Sequence, residues 1–259
     1  MDIITFSDCV VCSFNDSIIN EKEHNSSGVE VFFAEIKNIG SRYSYLKNFA
    51  SEDELSVASR FNSELYRRNY ISCHALLRLI LARRLDMKPF DLTFNKGKDN
   101  KPGLSCNSAY FNITHTAEAF AFAIVKDSHV GIDLERIKPG IKIHAVIEKY
   151  FSNEEKKFIF GSDGDAMNRF FLLWTRKEAF LKALGTGIVD NLNQITVSEP
   201  VNNIKKELFH GKVQDFLLAE YFLYSMKREE YFLSLATPKK SAIVFYDLNE
   251  ANIINYLDF

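Results

Sequence analysis

Residues Phe170–Leu184 (FFLLWTRKEAFLKAL) constrain the fold of this chain more than any other stretch. They contain no glycine or proline and run into Gly185-Thr186-Gly187. Met167–Leu184 therefore reads as the strongest helix of the chain, with a glycine stop. On a wheel of about 100° per residue, Phe170, Leu173, Trp174, Phe180, Leu181 and Leu184 form one apolar stripe. Lys177 falls in the middle of that stripe, and Glu178 and Lys182 lie together at one edge. A lysine centred on a buried face is costly unless its head reaches an anion or another partner. Snorkelling rescues it only where solvent is near. Taken alone, Glu178 and Lys182 are an ordinary i,i+4 surface pair worth about 0.3–0.5 kcal/mol. That accounts for the pair and leaves Lys177 unexplained, so the helix is a candidate site.

A second segment is Val130-Gly131-Ile132-Asp133-Leu134-Glu135. Side chains alternate along a strand, so Ile132 and Leu134 face one way and Asp133 and Glu135 the other. Residues two apart in a strand stand about 6.5–7 Å apart at Cα, close enough for two carboxylates to converge on one cation. A hard metal such as Mg²⁺ takes one or two carboxylates together with waters and substrate phosphates. Gly131 shares the acidic face and leaves space beside it. The alternative is an amphipathic strand with a solvated acidic face.

The third segment is basic. Between Leu65 and Lys88 stand Arg67, Arg68, Arg78, Arg83, Arg84 and Lys88 against the single acid Asp86. Lys96, Lys98 and Lys101 follow in a polar loop, and Thr114-His115-Thr116 ends the next strand. Cations from several elements suit a small, highly charged phosphate ligand; a solvated basic helix face is the alternative. Nucleic acid is disfavoured, because 32 Lys plus Arg against 34 Asp plus Glu leave a net charge of -2.

The rest of the pattern predicts an α+β protein. With 259 residues and about 150 residues per domain, one large domain or two small ones are expected. A hydrophobic fraction of 46% and an aromatic fraction of 14% support a substantial core. Strands are predicted at Val29–Ile36, Tyr110–Thr114, Phe120–Val125, Val130–Glu135, Gln194–Val197, Phe216–Tyr224, Tyr231–Ala236 and Ala242–Tyr246. Phe120–Val125 and Val130–Glu135, joined by a turn at Lys126-Asp127-Ser128-His129, read as a hairpin. Residues 51–86 are helical in pattern, with a capping-box spacing at Ser51 and Glu54, and His144–Phe160 is a further helix. Helix, polar loop and strands recur in both halves, which suggests a duplication with a seam near residue 126; one continuous α+β domain is the alternative. Cys9 and Cys12 have C-x-x-C spacing but lack two further ligands at comparable spacing, so they are expected to be reduced packing cysteines. The N-terminal stretch lacks a basic start and no run is long enough to span a bilayer, so a cytoplasmic protein is expected.

In this order, Lys101-Pro102, Phe111–Thr116, Gly131–Glu135, Tyr150–Glu155 and Trp174–Lys182 with Gly185 and Gly187 resemble the 4'-phosphopantetheinyl transferase superfamily, in its longer two-lobed branch. The resemblance runs from about Arg60 to Gly187. It implies two similar α/β halves related by a pseudo-twofold axis, 1–126 and 127–259, with coenzyme A bound between them. It also implies transfer of the phosphopantetheine arm of coenzyme A to a serine of an apo acyl or peptidyl carrier protein, with release of adenosine 3',5'-bisphosphate. Asp133, Glu135 and Glu178 would hold Mg²⁺, or Mn²⁺, on the pyrophosphate. Lys177 and Lys182 would neutralise the same phosphates. Lys101, Pro102, Thr114 and His115, with Arg68, would hold the adenosine end.

Glu178 would accept the serine proton, with Glu155 as a second candidate, and Lys182 would stabilise the leaving group. A monomer suffices for a two-lobed chain. The sequence departs from the family where Thr114-His115-Thr116 replaces Ser-His-Ser and where Asn100 precedes Lys101. Glu54 and Val57 stand near positions where some relatives place coenzyme-binding lysines. Two other readings use the same residues: a metal-dependent phosphoesterase or nuclease, and a non-catalytic relative that binds coenzyme A or a carrier.

Overall fold

The computed structural model describes residues 10–11, 28–96, 101–106, 108–138, 140–161, 165–187, 189, 191–198, 201–203 and 220–257. Cys9, Cys12 and residues 216–219 of one predicted strand lie outside them. In chain order the elements are β1 (Val10–Val11), β2 (Val29–Glu35), α1 (Ile36–Ile39), α2 (Tyr43–Leu46), α3 (Glu52–Ser59), α4 (Glu64–Arg84), β3 (Phe94–Lys96), β4 (Pro102–Leu104), β5 (Tyr110–His115) and β6 (Ala119–Val125). They continue with β7 (Gly131–Arg136), α5 (His144–Tyr150), α6 (Asn153–Ile159), α7 (Ala166–Leu184), β8 (Val201–Asn203), β9 (Glu220–Arg228), β10 (Tyr231–Thr237), β11 (Ile243–Asp247) and α8 (Glu250–Ile253). The fold is mixed α+β, and it divides into two compact units, one of Asp8–Asp127 with Ala242–Phe259 and one built on Ser128–Ser241.

The first unit carries a five-stranded sheet in the order β1-β11-β2-β6-β5. β11 pairs in parallel with β2, which places the last residues of the chain in this unit rather than with the second half. Nearly all of β2 and all of β6 are buried, and their Phe32, Phe120 and Phe122 pack on α4 through Leu76, Leu77, Ile80 and Leu81. Phe32 stacks between Phe122 and Tyr246, with ring centroids 5.0 and 4.6 Å apart. Each such side chain contributes roughly 1.5–3 kcal/mol through burial.

The predicted hairpin does not form. β6 pairs with β5 and β2, while β7 pairs with β10 in another sheet. Residues 126–130 pass from one unit to the other, so the short polar connection is a crossing point, not a turn.

The capping box at Ser51 forms as expected: Glu54 N–H donates to Ser51 Oγ at 3.2 Å, and Ser51 N–H donates to Glu54 Oε2 at 2.7 Å. The other carboxylate oxygen of Glu54 accepts from Arg78 Nη2 at 2.9 Å and lies 3.6 Å from His74 Nδ1. The Arg78 guanidinium also donates to the carbonyls of Pro89 and Leu92 and stands over the Phe94 ring. One buried arginine thus ties α3, α4 and the segment before β3 together.

The second unit carries an antiparallel sheet in the order β7-β10-β9-β8, with α7 packed across β7 and β10. The helix predicted at His144–Phe160 is two helices, broken at Phe151-Ser152 because Ser152 and Glu155 form a second capping box that starts α6. Gln194–Val197, predicted as a strand, is irregular backbone after a single 3-10 turn at Leu192–Gln194. α7 ends on Gly185 in the left-handed conformation (φ 72°), whose N–H donates to the carbonyl of Leu181 at 2.9 Å. That geometry favours glycine.

α7 and β7 approach closely at Gly131. A Cβ there would collide with the carbonyl oxygen of Ala179 and the backbone nitrogen of Ala183. The backbone of α7 rests directly on β7, with small residues at i and i+4 on the helix side.

Two expectations follow. Gly131→Ala should cost about 1–3 kcal/mol, the range for overpacking a rigid contact, measured by urea denaturation; wild-type stability would mean that the helix can lift off the strand freely. The second concerns pH. Burial pushes Glu54 up, but the neighbouring His74, the Ser51 N–H and the Arg78 charge outweigh that and bring it down to about 2. A carboxyl lowered on folding stabilises above its ordinary value and loses that contribution as pH falls through the lowered one. Wild-type stability should therefore drop more steeply than that of Glu54→Gln between pH 4.5 and about 2, as followed by chemical denaturation across that window.

Candidate active site

Gly131, Asp133 and Glu135 alternate with Ile132 and Leu134 along β7 and face α7. The register extends this face across the sheet: Asp133 pairs with Ser234 of β10, which pairs with Ser225 of β9, and Glu135 pairs with Phe232. Above them, Trp174, Glu178 and Lys182 follow one another at four-residue spacing along α7. The contact at Gly131 brings the two rows together. Lys182 Nζ lies 2.7 Å from Asp133 Oδ1. The Trp174 indole N–H faces Glu135 and acts to lower its carboxyl. The sequence placed Trp174 in the apolar stripe and in the family-like Trp174–Lys182 motif without a role of its own; its ring stacks on Phe170 at 6.2 Å, while its polar edge faces Glu135.

Electrostatics couple the three carboxylates. Glu178 is pushed up to about 7, first by burial and then by the charges of Asp133 and Glu135, with Lys182 pulling the other way. Glu135 is raised by burial and by Asp133, against the Trp174 hydrogen bond and the charges of Lys182 and Lys138. Glu178 Oε1 is buried without a hydrogen-bond partner. Three hard oxygen donors with excess negative charge suit a divalent cation in kind. In position they are not yet a cage: among the described residues, no three His, Cys, Asp or Glu side chains are gathered closely enough to hold a metal ion. Like charges repel, and Asp133 is turned to Lys182.

Two of the expected site residues lie elsewhere. Lys177 and Glu155 are both 0% exposed, and Lys177 Nζ sits 2.9 Å from Glu155 Oε2. Lys177 also donates to the carbonyl of Leu192 at 3.0 Å and to that of Ile195. Glu155 closes its capping box on Ser152 and accepts the N–H of Val197 at 2.9 Å. The expectation that Lys177 reaches a phosphate and that Glu155 serves as a base is therefore corrected: they neutralise each other in the core and pin the segment after α7. Burial draws the Lys177 ammonium below its usual range, and the Glu155 charge opposes that. The spacing Ser152-x-x-Glu155 is the sequence signal that points to this structural role for Glu155.

Beside Lys177, Arg176 donates to Ser225 Oγ at 2.9 Å and to the carbonyls of Val197 and Ser198. Ser225 Oγ contacts Ser234 Oγ at 2.9 Å, which contacts Thr175 Oγ1 at 2.7 Å. This buried polar row ties α7 to β9 and β10; Thr175 and Arg176 lie in the family-like motif without an expected role, and Ser225 and Ser234 were not anticipated.

In the first unit the basic segment is largely committed internally. Arg78 pairs with Glu54, Arg84 with Glu30 at 2.7 Å and Arg67 with Glu64 at 2.6 Å, while Arg83 donates to the carbonyl of Asn255. The solvated or phosphate-binding face expected there is thus mostly a set of tertiary ties. Arg68 lies over the Tyr43 ring at 4.7 Å. Thr114 is buried and His115 exposed at the end of β5. The turn that follows is built by Thr116 Oγ1, which accepts from the N–H groups of Glu118 and Ala119, and by Asn69, which donates to the carbonyls of Thr116 and Ala119. Lys101 is partly buried, and Pro102 opens β4, which lies against β5.

The chain matches the profile of the 4'-phosphopantetheinyl transferase superfamily over residues 129–236. It is 30% identical over 153 residues to a putative 4'-phosphopantetheinyl transferase of Synechocystis, covering 58% of this chain and 62% of that protein. It is 31% identical to the 4'-phosphopantetheinyl transferase HetI of Nostoc (57% and 64%) and 30% identical to the 4'-phosphopantetheinyl transferase psf-1 of Bacillus pumilus (62% and 68%). The chain thus spans slightly under two thirds of the first two relatives and slightly over two thirds of the third.

The Lys177–Glu155 pair yields a stability expectation. Lys177→Met should destabilise by about 3–5 kcal/mol, because it strands a buried carboxylate. Adding Glu155→Gln, which removes the charge but keeps an acceptor for Val197 N–H, should recover part of the loss. A stable single variant in denaturant titration would return Lys177 to the list of ligand-binding candidates.

Proposed function

The chain belongs to the 4'-phosphopantetheinyl transferase superfamily, and from that premise we propose that it transfers the 4'-phosphopantetheine arm of coenzyme A to a serine of an apo acyl or peptidyl carrier protein. The observation that carries the reading is the placement of Glu178 and Lys182, one turn apart on α7, against Asp133 and Glu135 on β7. In the reaction the serine Oγ forms a bond to the pantetheine-side phosphorus and the anhydride P–O bond breaks. Adenosine 3',5'-bisphosphate leaves, and the serine proton must be taken up.

Glu178 is the base in this proposal, one turn of α7 before Lys182 and beside the carboxylates of β7. Lys182 compensates charge on the pyrophosphate and then on the departing phosphate. Asp133, Glu135 and Glu178 would hold Mg²⁺ or Mn²⁺, which when bound neutralises the pyrophosphate oxygens. Trp174 fixes the orientation of Glu135. Lys101, Pro102, Thr114, His115 and Arg68 are the candidates for the adenosine end. We place the reaction in the cytoplasm, carried out by a monomer; among the described residues, no helix is long and apolar enough to cross a membrane.

Incubation with coenzyme A, Mg²⁺ and an apo carrier protein should add the phosphopantetheine mass to the carrier, read by mass spectrometry. Hydrolysis of coenzyme A without carrier modification would favour the phosphoesterase reading, and binding without either product the non-catalytic one. Glu178→Ala should lower kcat by about 10²-fold or more. The same variant should melt no lower than wild type, because it removes one of three mutually repelling carboxylates.

A further inference from the structure

The carboxylate proposed to anchor the metal already carries a cation. Asp133 has a side chain only 7% exposed, and its Oδ1 lies 2.7 Å from Lys182 Nζ. Lys182 is the more open partner, with 30% of its side chain exposed. Its backbone is fixed, because α7 rests on β7 through Gly131 and ends at Gly185 one turn later. What can move is the four-carbon stem, whose ammonium swings without disturbing the helix. Among the described residues, no three acidic or other metal-ligating side chains are gathered for an ion, and the ammonium is held on one of the carboxylates that would have to gather.

We propose that Lys182 is a built-in competitor for the divalent cation at Asp133, so that metal and the coenzyme pyrophosphate load together. A divalent ion arriving alone meets an oxygen already neutralised and a positive charge beside it, and repulsion in a partly buried setting is felt strongly. A pyrophosphate diester changes the balance. It offers the ammonium a new anionic partner and offers the metal further oxygen ligands. Release of Lys182 from Asp133 is then coupled to arrival of the coenzyme, and the lysine that leaves Asp133 is the one delivered to the phosphates. Coupling of this kind is reciprocal: whatever factor coenzyme A adds to metal affinity, the metal adds to coenzyme affinity. The inference rests on the metal and coenzyme A reading of this site.

The test is titration of Mn²⁺, counted by the electron paramagnetic resonance signal of the free ion, into wild type, Lys182→Met and Lys182→Gln, each with and without coenzyme A. Without coenzyme A, both variants should bind Mn²⁺ about tenfold more tightly than wild type, within the usual range of site-to-site coupling. The gain in Mn²⁺ affinity on adding coenzyme A should shrink in both variants. In an Asp133→Asn background, Lys182→Met should no longer tighten Mn²⁺, because the contested oxygen is gone. Thermal melts confirm that each variant is folded, and the two replacements at Lys182 guard against a misfolded one. If wild type transfers the arm and binds Mn²⁺ with coenzyme A, yet neither variant binds Mn²⁺ alone more tightly, the competition is refuted while the site reading stands. If wild type binds no Mn²⁺ even with coenzyme A and modifies no carrier, both fall.

Discussion

The missing side chain at Gly131 sets how near α7 can come to β7. With the helix backbone in contact with the strand at Ala179 and Ala183, the next residues along each element, Asp133 and Glu135 on one and Glu178 and Lys182 on the other, are forced into one electrostatic neighbourhood. A side chain at position 131 would hold the helix further from the strand. Here these groups are partly desolvated, which raises Glu178 and Glu135 and turns Lys182 onto Asp133. The electrostatics of the site is therefore a consequence of a packing distance.

Two lysines five positions apart on the same helix show how strongly location governs role. Lys177 points inward, where a lone charge would be very unfavourable. The protein meets that cost with a carboxylate from the start of α6 and two carbonyls from the segment after α7. Lys182 points to the edge, keeps contact with solvent and pairs with Asp133. The buried pair ties the helix to its flanking segments, while the edge lysine stays within reach of solvent.

The first unit follows the same logic with arginine. A guanidinium presents a planar fork of donors, and Arg78 uses it to join Glu54 of α3 to two carbonyls that follow α4. Arg84 reaches Glu30 on β2 and Arg83 reaches the carbonyl of Asn255 near the C-terminus. Asn69, on the same helix, holds the turn that follows Thr114 and His115 at the end of β5.

Much of this was legible in the sequence because it depends on local period and chemistry. The apolar stripe and glycine stop located α7, alternation placed Asp133 and Glu135 on one face of β7, and the Ser51–Glu54 spacing marked a helix start. The order of motifs identified the family. The sequence could not say which partner each charge would find, because partners are set by residues far away in the chain. A lysine in an apolar stripe signals that an anion must be near, but only the tertiary structure names it as Glu155 and not a ligand. Strand pairing was undecided for the same reason: a short turn after β6 is compatible with a hairpin, and only the competing partners, β2 and β5 for β6 and β10 for β7, settle the outcome. Gly131 was visible as a small residue beside two acids. That it admits a helix backbone, and does not merely leave space, was decided by where α7 packs.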